Sequence, residues 1–216
     1  MRIAISLLLI AATKFSFGQD SLNKRYFSNG QVASYQIKKD SVNIYEEDFY
    51  ESGKLKGEGI GIIINGKYKP KQFKTYYKSG KLETSLCDTL YCEFEETGEI
   101  ILHVQMKDWR NNGEFRVYRN GKLSLLIEYT DGKKNGVSKI YDFQTGRKVI
   151  EDHFKDGLQV GTSKHFDGGG NLTKEIYRAD HCIIKVIYYS KNRRPIKIIT
   201  DKSELILKEG RSIDCD

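Results

Sequence analysis

Two acidic clusters carry the side chains best suited to acid–base chemistry, which needs a proton donor and a proton acceptor held close together. They are Glu46-Glu47-Asp48 and the trio Glu93, Glu95 and Glu96. In an extended strand, however, Glu93 and Glu95 point to one side and Glu96 to the other, which is also the pattern of a solvated strand surface. The sequence contains no nucleophile elbow, His-Glu-x-x-His motif, phosphate loop or dinucleotide fingerprint. We therefore expect a non-enzymatic protein that uses no cofactor.

The histidines and the glycine-rich run give no sign of a metal or phosphate site. His103, His153, His165 and His181 are far apart in the sequence, and the cysteine spacing is not that of a zinc site. The run Gly168-Gly169-Gly170-Asn171 is followed by neither a Gly-Lys-Ser/Thr motif nor a helical pattern, so we interpret it as a turn. No metal ligand is predicted.

The four cysteines are candidates for disulfides. Cys87 and Cys92 flank a stretch as long as a hairpin loop, and Cys182 and Cys215 would tie the C-terminal tail to the last repeat. An even number of cysteines in an exported chain favours disulfides, although four cysteines allow three connectivities. Free thiols in the core are the alternative if the chain stays in a reducing compartment.

Lysines alternate with aromatic residues between positions 67 and 81, a mixture typical of surfaces that bind anionic partners. The candidate binding face consists of Lys67, Tyr68, Lys74, Tyr76, Tyr77, Trp109 and Tyr118. Trp109, near a predicted turn at Asn111-Asn112-Gly113, is either an interface anchor or a partly buried strand residue. The alternative role for the lysines is to protect strands and turns from edge-to-edge aggregation.

A repeated unit positions all of these side chains. Each copy has an aromatic residue, a short turn with glycine, a strand, a second turn and another strand. An aliphatic residue follows the glycine by two positions in nearly every copy, and Lys148 with Val149 next to it is the exception. The turn glycines are separated by 23, 27, 18, 23, 25 and 24 residues, and they are Gly30, Gly53, Gly80, Gly98, Gly121, Gly146 and Gly170. This period, with alternating apolar and polar positions, predicts an array of β-hairpins. Residues 189–192 look like a further copy with Asn192 in the glycine position.

Three of these motifs resemble a known repeat. Tyr-Glu-Ser-Gly53-Lys-Leu, Tyr-Lys-Ser-Gly80-Lys-Leu and Tyr-Arg-Asn-Gly121-Lys-Leu are similar to the MORN repeat variant of bacterial proteins in the YwqK antitoxin-like group. The resemblance covers about residues 26–189. It implies β-hairpins assembled side by side, but the antitoxin activity of some members does not follow from repeat similarity, because a fold does not fix a function.

The patterns together predict an all-β fold. We expect an elongated antiparallel meander of hairpin repeats over residues 19–181, followed by a C-terminal capping segment at residues 182–216. Apolar stretches in that segment, including Glu204-Leu-Ile-Leu207, are interpreted as capping strands. Terminal repeats of such arrays are atypical because they close the open end.

Residues 1–18 are predicted to be a signal peptide. Arg2 precedes a ten-residue apolar run, and Ser16 and Gly18 occupy the small-residue positions of a cleavage site after Gly18. The run is too short for a transmembrane anchor, which needs about 20 apolar residues. The mature protein is therefore expected to be secreted or periplasmic. Removal of Arg2 and Lys14 lowers its formal net charge from +7 to +5.

These observations predict an exported scaffold that binds a protein partner. Nucleic acid is not expected as a ligand, because an exported protein rarely meets it. Two alternatives remain among binding proteins: an antitoxin-like or immunity-like binder of a toxin, and a binder of an anionic envelope or lipid surface. A hydrolase of envelope glycans is the enzymatic alternative.

Overall fold

The computed structural model describes residues 21–209. The sixteen strands in this range form one antiparallel sheet, and each strand pairs with the next in sequence. This confirms the predicted all-β meander of successive hairpins. A single helix follows the last strand. The strands are β1 Ser21–Tyr26, β2 Val32–Lys38, β3 Asn43–Phe49, β4 Leu55–Ile64, β5 Lys67–Tyr76, β6 Leu82–Cys87, β7 Leu90–Phe94, β8 Ile100–Lys107, β9 Arg110–Arg119, β10 Lys122–Thr130, β11 Lys133–Tyr141, β12 Lys148–Lys155, β13 Leu158–Phe166, β14 Leu172–Ala179, β15 Cys182–Tyr189 and β16 Pro195–Ile199, and the helix is α1 Lys202–Glu209.

The turns that carry the repeat glycines lie along one edge of the sheet, which we call the repeat-turn edge. In the turn between β3 and β4, Tyr50 N donates to Lys54 O and Gly53 N donates to Tyr50 O, both at 2.8 Å. The seven predicted glycines all adopt positive φ, from 69° to 96°. A residue with a Cβ is disfavoured in that region, which explains why glycine recurs there. Two turns differ: Gly121 belongs to a two-residue turn between the paired residues Arg119 and Lys122, and the turn of Gly146, from Asp142 to Arg147, is one residue longer.

The last repeat turn corrects one sequence assignment. Arg193, not Asn192, occupies the glycine position: it has a φ of 58°, and its N donates to Ser190 O at 2.9 Å. The prediction for Asn192 was wrong because the turn begins at Ser190, one residue after the aromatic Tyr189.

Two-residue turns dominate the opposite edge, which we call the tight-turn edge. Each begins with Asn or Asp at a φ of 45° to 53°, the residue types that tolerate this conformation best after glycine. The turns are Asn65-Gly66, Asp88-Thr89, Asp108-Trp109, Asp131-Gly132, Asp156-Gly157 and Asp180-His181. The turn predicted at Asn111-Asn112-Gly113 was wrong, because these residues lie inside β9.

The register divides the sheet into two faces. Residues directly opposite on neighbouring strands point to the same side, and on one side they form a row that includes the buried residues Leu86, Val104, Ile127 and Ser138. We call this side the core face, and its row runs through Phe73, Leu86, Tyr91, Val104, Phe115, Ile127 and Ser138. The other side, the ladder face, carries a row through Glu47, Glu58, Lys74, Ser85, Cys92, His103, Arg116, Leu126, Lys139, Glu151, Lys164 and Glu175.

The C-terminal segment continues the meander through β15 and β16 and then forms a helix. The expectation of strand at Glu204-Leu-Ile-Leu207 was wrong, because Asp201 caps a helix there: Asp201 Oδ1 accepts from Glu204 N at 3.0 Å. Leu205 joins a buried cluster with Ile176, Val186 and Ile199. Within residues 21–209, no helix is long and apolar enough to cross a membrane. The predicted signal peptide lies outside the described residues.

Candidate functional site

One candidate binding cavity is a cleft at the tight-turn edge. It has a volume of about 570 Å³ and is bounded by turn and strand residues of the hairpins formed by β2 to β9. We call it the edge cleft. Its charged, polar and aromatic lining includes Lys39, Asp40, Asn43, Lys71, Asp88 and Trp109.

Trp109 is the most distinctive residue of the edge cleft. It is the second residue of the turn between β8 and β9, and 57% of its surface is exposed. Its φ is 63°, in the left-handed region where a bulky residue is rarely found. His181 occupies the corresponding position in the turn between β14 and β15, with a φ of 67°. The fold therefore holds an indole in solvent at a backbone position that glycine would fill with less strain.

Charged groups of both signs are fixed in the walls of the edge cleft. Asp40 Oδ1 accepts from Val42 N and Asn43 N, each at 2.8 Å, and Asp40 Oδ2 accepts from Asn43 Nδ2 at 2.7 Å. These hydrogen bonds lower the pKa of Asp40 to about 2, and the bond from the Asn43 side chain has the largest effect. Lys71 Nζ donates to Asn43 Oδ1 at 3.3 Å. The cleft thus presents an immobilised carboxylate and an ammonium group within reach of one ligand.

Exposed apolar side chains continue along the tight-turn edge on both sides of the edge cleft. Seven large ones lie in its loops or within three residues of them: Val42, Ile63, Ile64, Leu90, Trp109, Leu158 and Ile184. By the same criterion the repeat-turn edge carries five, which are Tyr26, Ile100, Ile140, Phe143 and Ile196. Contiguous exposed apolar residues are typical of interaction surfaces. The tight-turn edge is therefore the better candidate interface.

The structure does not bring the seven residues of the predicted binding face together. Trp109 and Lys67 lie at the tight-turn edge, whereas the Tyr77 hydroxyl donates to Phe94 O at the repeat-turn edge at 2.7 Å. Tyr118 lies opposite Leu123, one residue before the end of β9, and is therefore also near the repeat-turn edge. Register separates the remaining three, because Lys74 and Tyr76 lie on the ladder face and Tyr68 lies over Gly61 on the core face.

One member of the acidic cluster of β3, Glu47, is occupied by hydrogen bonds to tyrosines. Glu47 accepts from the hydroxyls of Tyr35 and Tyr45, the latter at 2.6 Å. On the next strand, Glu58 accepts from Tyr76 at 2.5 Å. Burial and these carboxylates raise the pKa of all three tyrosines. The phenols stay protonated and act as structural donors, a role that the Tyr-x-Glu spacing at residues 45–47 and 91–93 would have indicated.

The predicted disulfide between Cys87 and Cys92 is absent. Both thiols are free; Cys87 is exposed and Cys92 is buried, and burial raises the pKa of Cys92. Cys87 faces Leu90, and Cys92 faces Ser85, so the two cysteines are diagonal neighbours. Diagonal pairs are about 7–8 Å apart, whereas disulfide-bonded Cβ atoms lie about 3.8 Å apart. The pairing of Cys182 with Cys215 stays a prediction, because Cys215 lies outside the described residues.

No metal site emerges from the described part of the chain. Residues 21–209 contain no group of three or more His, Cys, Asp or Glu side chains placed to hold a metal ion. His103 lies opposite Cys92 on the ladder face, and its buried Nδ1 has no hydrogen-bond partner.

Comparison with protein-family models and with curated proteins gives no match.

Proposed function

We propose that the protein is an exported, non-enzymatic repeat scaffold that binds a protein partner through the tight-turn edge, with Trp109 as the anchor. The observation that carries the proposal is Trp109 itself, because it is 57% exposed and held at a φ of 63°. Backbone strain of this kind is concentrated at functional sites. Tryptophan is also enriched among the residues that dominate binding energy at protein interfaces.

The surroundings of Trp109 favour a protein over a membrane surface as the partner. The edge cleft places the fixed carboxylate of Asp40 and the ammonium of Lys71 beside the indole. A protein interface typically combines such a polar rim with a few apolar anchors. An anionic lipid surface would instead favour a patch of positive charge without fixed carboxylates.

The test compares the wild-type protein with Trp109→Gly in a pull-down from the native envelope fraction, washed at low and then at high salt. His181→Gly is the matched control, because it makes the same backbone change in another tight turn. We expect one dominant protein that survives high salt, is lost with Trp109→Gly and is retained with His181→Gly. Equal capture by all three proteins would exclude Trp109 as the anchor.

Adsorption to an anionic envelope surface is the second candidate function, and it is favoured by the excess of basic residues, 36 Lys and Arg against 29 Asp and Glu. Such binding weakens steeply with ionic strength, because salt screens exposed charges. Retention that disappears at high salt and is insensitive to Trp109→Gly would support this candidate instead. The antitoxin-like alternative rests on the family resemblance, and toxin co-expression with a captured partner would test it.

A further inference from the structure

A second cavity lies on the core face, over the glycine-rich strand β4. It has a volume of about 310 Å³. The groove, which we call the glycine groove, lies between Glu46 and Asp48 of β3 on one side and Phe73 and Thr75 of β5 on the other. Its floor is β4, where Gly57 faces Asp48 and Gly59 faces Glu46. Because neighbouring strands are about 4.8 Å apart, the two walls are separated by about 10 Å.

Two carboxylates and one phenol line the glycine groove, beside the Thr75 hydroxyl, which is bonded to Glu83 and Thr84. Glu46 and Asp48 contribute carboxylates from the same wall. At one end, the Tyr68 ring lies over Gly61, since a Cβ at Gly61 would be 2.7 Å from the ring, and the Tyr68 hydroxyl oxygen is buried without a hydrogen-bond partner. Burial and these two carboxylates raise the pKa of Tyr68 to about 12. Burial also raises the pKa of Glu46.

Arg25 shows that a cation is attracted to this position. Its Nη2 lies 3.4 Å from Asp48 Oδ1 and 3.8 Å from Glu46 Oε1. The Arg25 side chain is 70% exposed, so it approaches the carboxylates from the solvent side. Lys74, which also borders the groove, faces Glu58 in the ladder row on the opposite side of the sheet. The acidic wall therefore carries two carboxylates against one exposed guanidinium and one amide, the Gln36 Nε2 that donates to Glu46 Oε1 at 3.1 Å.

We propose that the glycine groove binds a lysine side chain presented by a partner protein. An ammonium group has three N–H donors and no acceptor, which matches the three acceptor groups of Glu46, Asp48 and Tyr68. The aliphatic stem of a lysine would pack between Phe73 and the Tyr68 ring, as lysine stems do on apolar surfaces. The space is open because positions 57 and 59 of β4 are glycine, and larger side chains there would fill it. The groove is separate from the tight-turn edge, so this inference goes beyond the function proposed above.

The test titrates the mature protein with acetyl-Gly-Lys-Gly-amide, followed by the NMR shifts of groove residues. Matched peptides carry Nε-acetyl-lysine or arginine instead of lysine. We expect the lysine peptide to bind and the acetylated peptide not to bind. Asp48→Asn should weaken binding about tenfold, since it removes one charge-assisted hydrogen bond.

Two further variants separate recognition from folding. Gly57→Val should abolish binding while the protein stays folded, because a Cβ at Gly57 would make only ordinary contacts, the nearest 3.4 Å away. Arg25→Ala should tighten binding, because it removes the competing guanidinium. Trp109→Gly should leave peptide binding unchanged, which separates this result from that of the tight-turn edge. Absent binding, equal binding of the acetylated peptide, tighter binding of arginine, or insensitivity to both Asp48→Asn and Gly57→Val would overturn the proposal.

Discussion

Single residues in this sheet are constrained by backbone conformation more than by burial, and Trp109 is the clearest case. An indole at a φ of 63° is strained, and more than half of the residue's surface is exposed, so burial offsets only part of this strain. His181 is under the same backbone constraint, but it does not line the edge cleft. The two positions therefore separate the conformational effect of a substitution from its effect on recognition.

We expect Trp109→Gly to raise the free energy of unfolding by about 0.5–1 kcal/mol, because glycine relieves the left-handed strain and the larger freedom of the unfolded chain offsets only part of it. His181→Gly should give a similar gain. Urea denaturation measures both. A loss of stability with Trp109→Gly alone would mean that the indole packs on the sheet, and would argue against its role as a displayed anchor.

Gly59→Ala should destabilise the protein by about 1–3 kcal/mol, because a Cβ there would lie 2.8 Å from Gln72 O and 3.0 Å from Phe73 Cβ. Gly57→Ala is the control two residues away, where the nearest atom is 3.4 Å from the added Cβ. We expect this control to be neutral or slightly stabilising in thermal denaturation. Equal effects of the two substitutions would show that β4 and β5 separate easily.

At the scale of elements, the sequence predicted the features that depend on local chemistry. It missed the features that depend on strand register or on contacts between residues far apart in the chain. The repeat turns followed from glycine and from the spacing of their flanking residues. The Cys87–Cys92 pairing failed because one step of register makes the two cysteines diagonal neighbours. Helix α1 was missed because its short apolar stretch suits a strand equally well, and the outcome depends on the Asp201 cap and on Leu205 reaching Val186 and Ile199. The edge cleft was not predictable, because it joins residues of four different hairpins that are far apart in the sequence.

Leu205→Ala should lower stability by about 2–4 kcal/mol, because it opens a cavity in the buried cluster under α1. In a repeat array this loss is expected to stay near the altered end. Hydrogen exchange should therefore show faster exchange in β14 to β16, with β4 to β8 unchanged. Uniformly faster exchange across the sheet would show that the array unfolds as one cooperative unit.

Tyrosine–carboxylate pairs, some within a strand and some between neighbouring strands, give the sheet an alkaline limit. Tyr91 donates to Glu93 at 2.7 Å, and burial followed by this bond raises the pKa of Tyr91 to about 12. Because the folded pKa exceeds the unfolded value of 10, this contribution to stability is complete below pH 10 and is lost as the pH rises towards 12. Tyr91→Phe should reduce the alkaline loss of stability, which denaturation at pH 9 and pH 11.5 measures. An unchanged difference between the two pH values would exclude this pair as a contributor.

For the whole molecule, sixteen strands in sequence order predict an elongated particle. Fifteen strand spacings of about 4.8 Å give a sheet about 70 Å across before twist. A compact chain of 216 residues has a radius of gyration of about 17 Å. Small-angle X-ray scattering of the mature protein should give a clearly larger value. A radius near that of a compact chain would mean that the sheet coils tightly on itself.

The position of Trp109 within the meander has a consequence for how the chain diversifies. Its turn joins β8 to β9, so eight strands lie on each side of it. Duplication or loss of a whole hairpin adds or removes two strands, which leaves every remaining turn on its original edge. Evolution can therefore lengthen or shorten the sheet on either side of the β8–β9 turn, while Trp109 stays at the tight-turn edge.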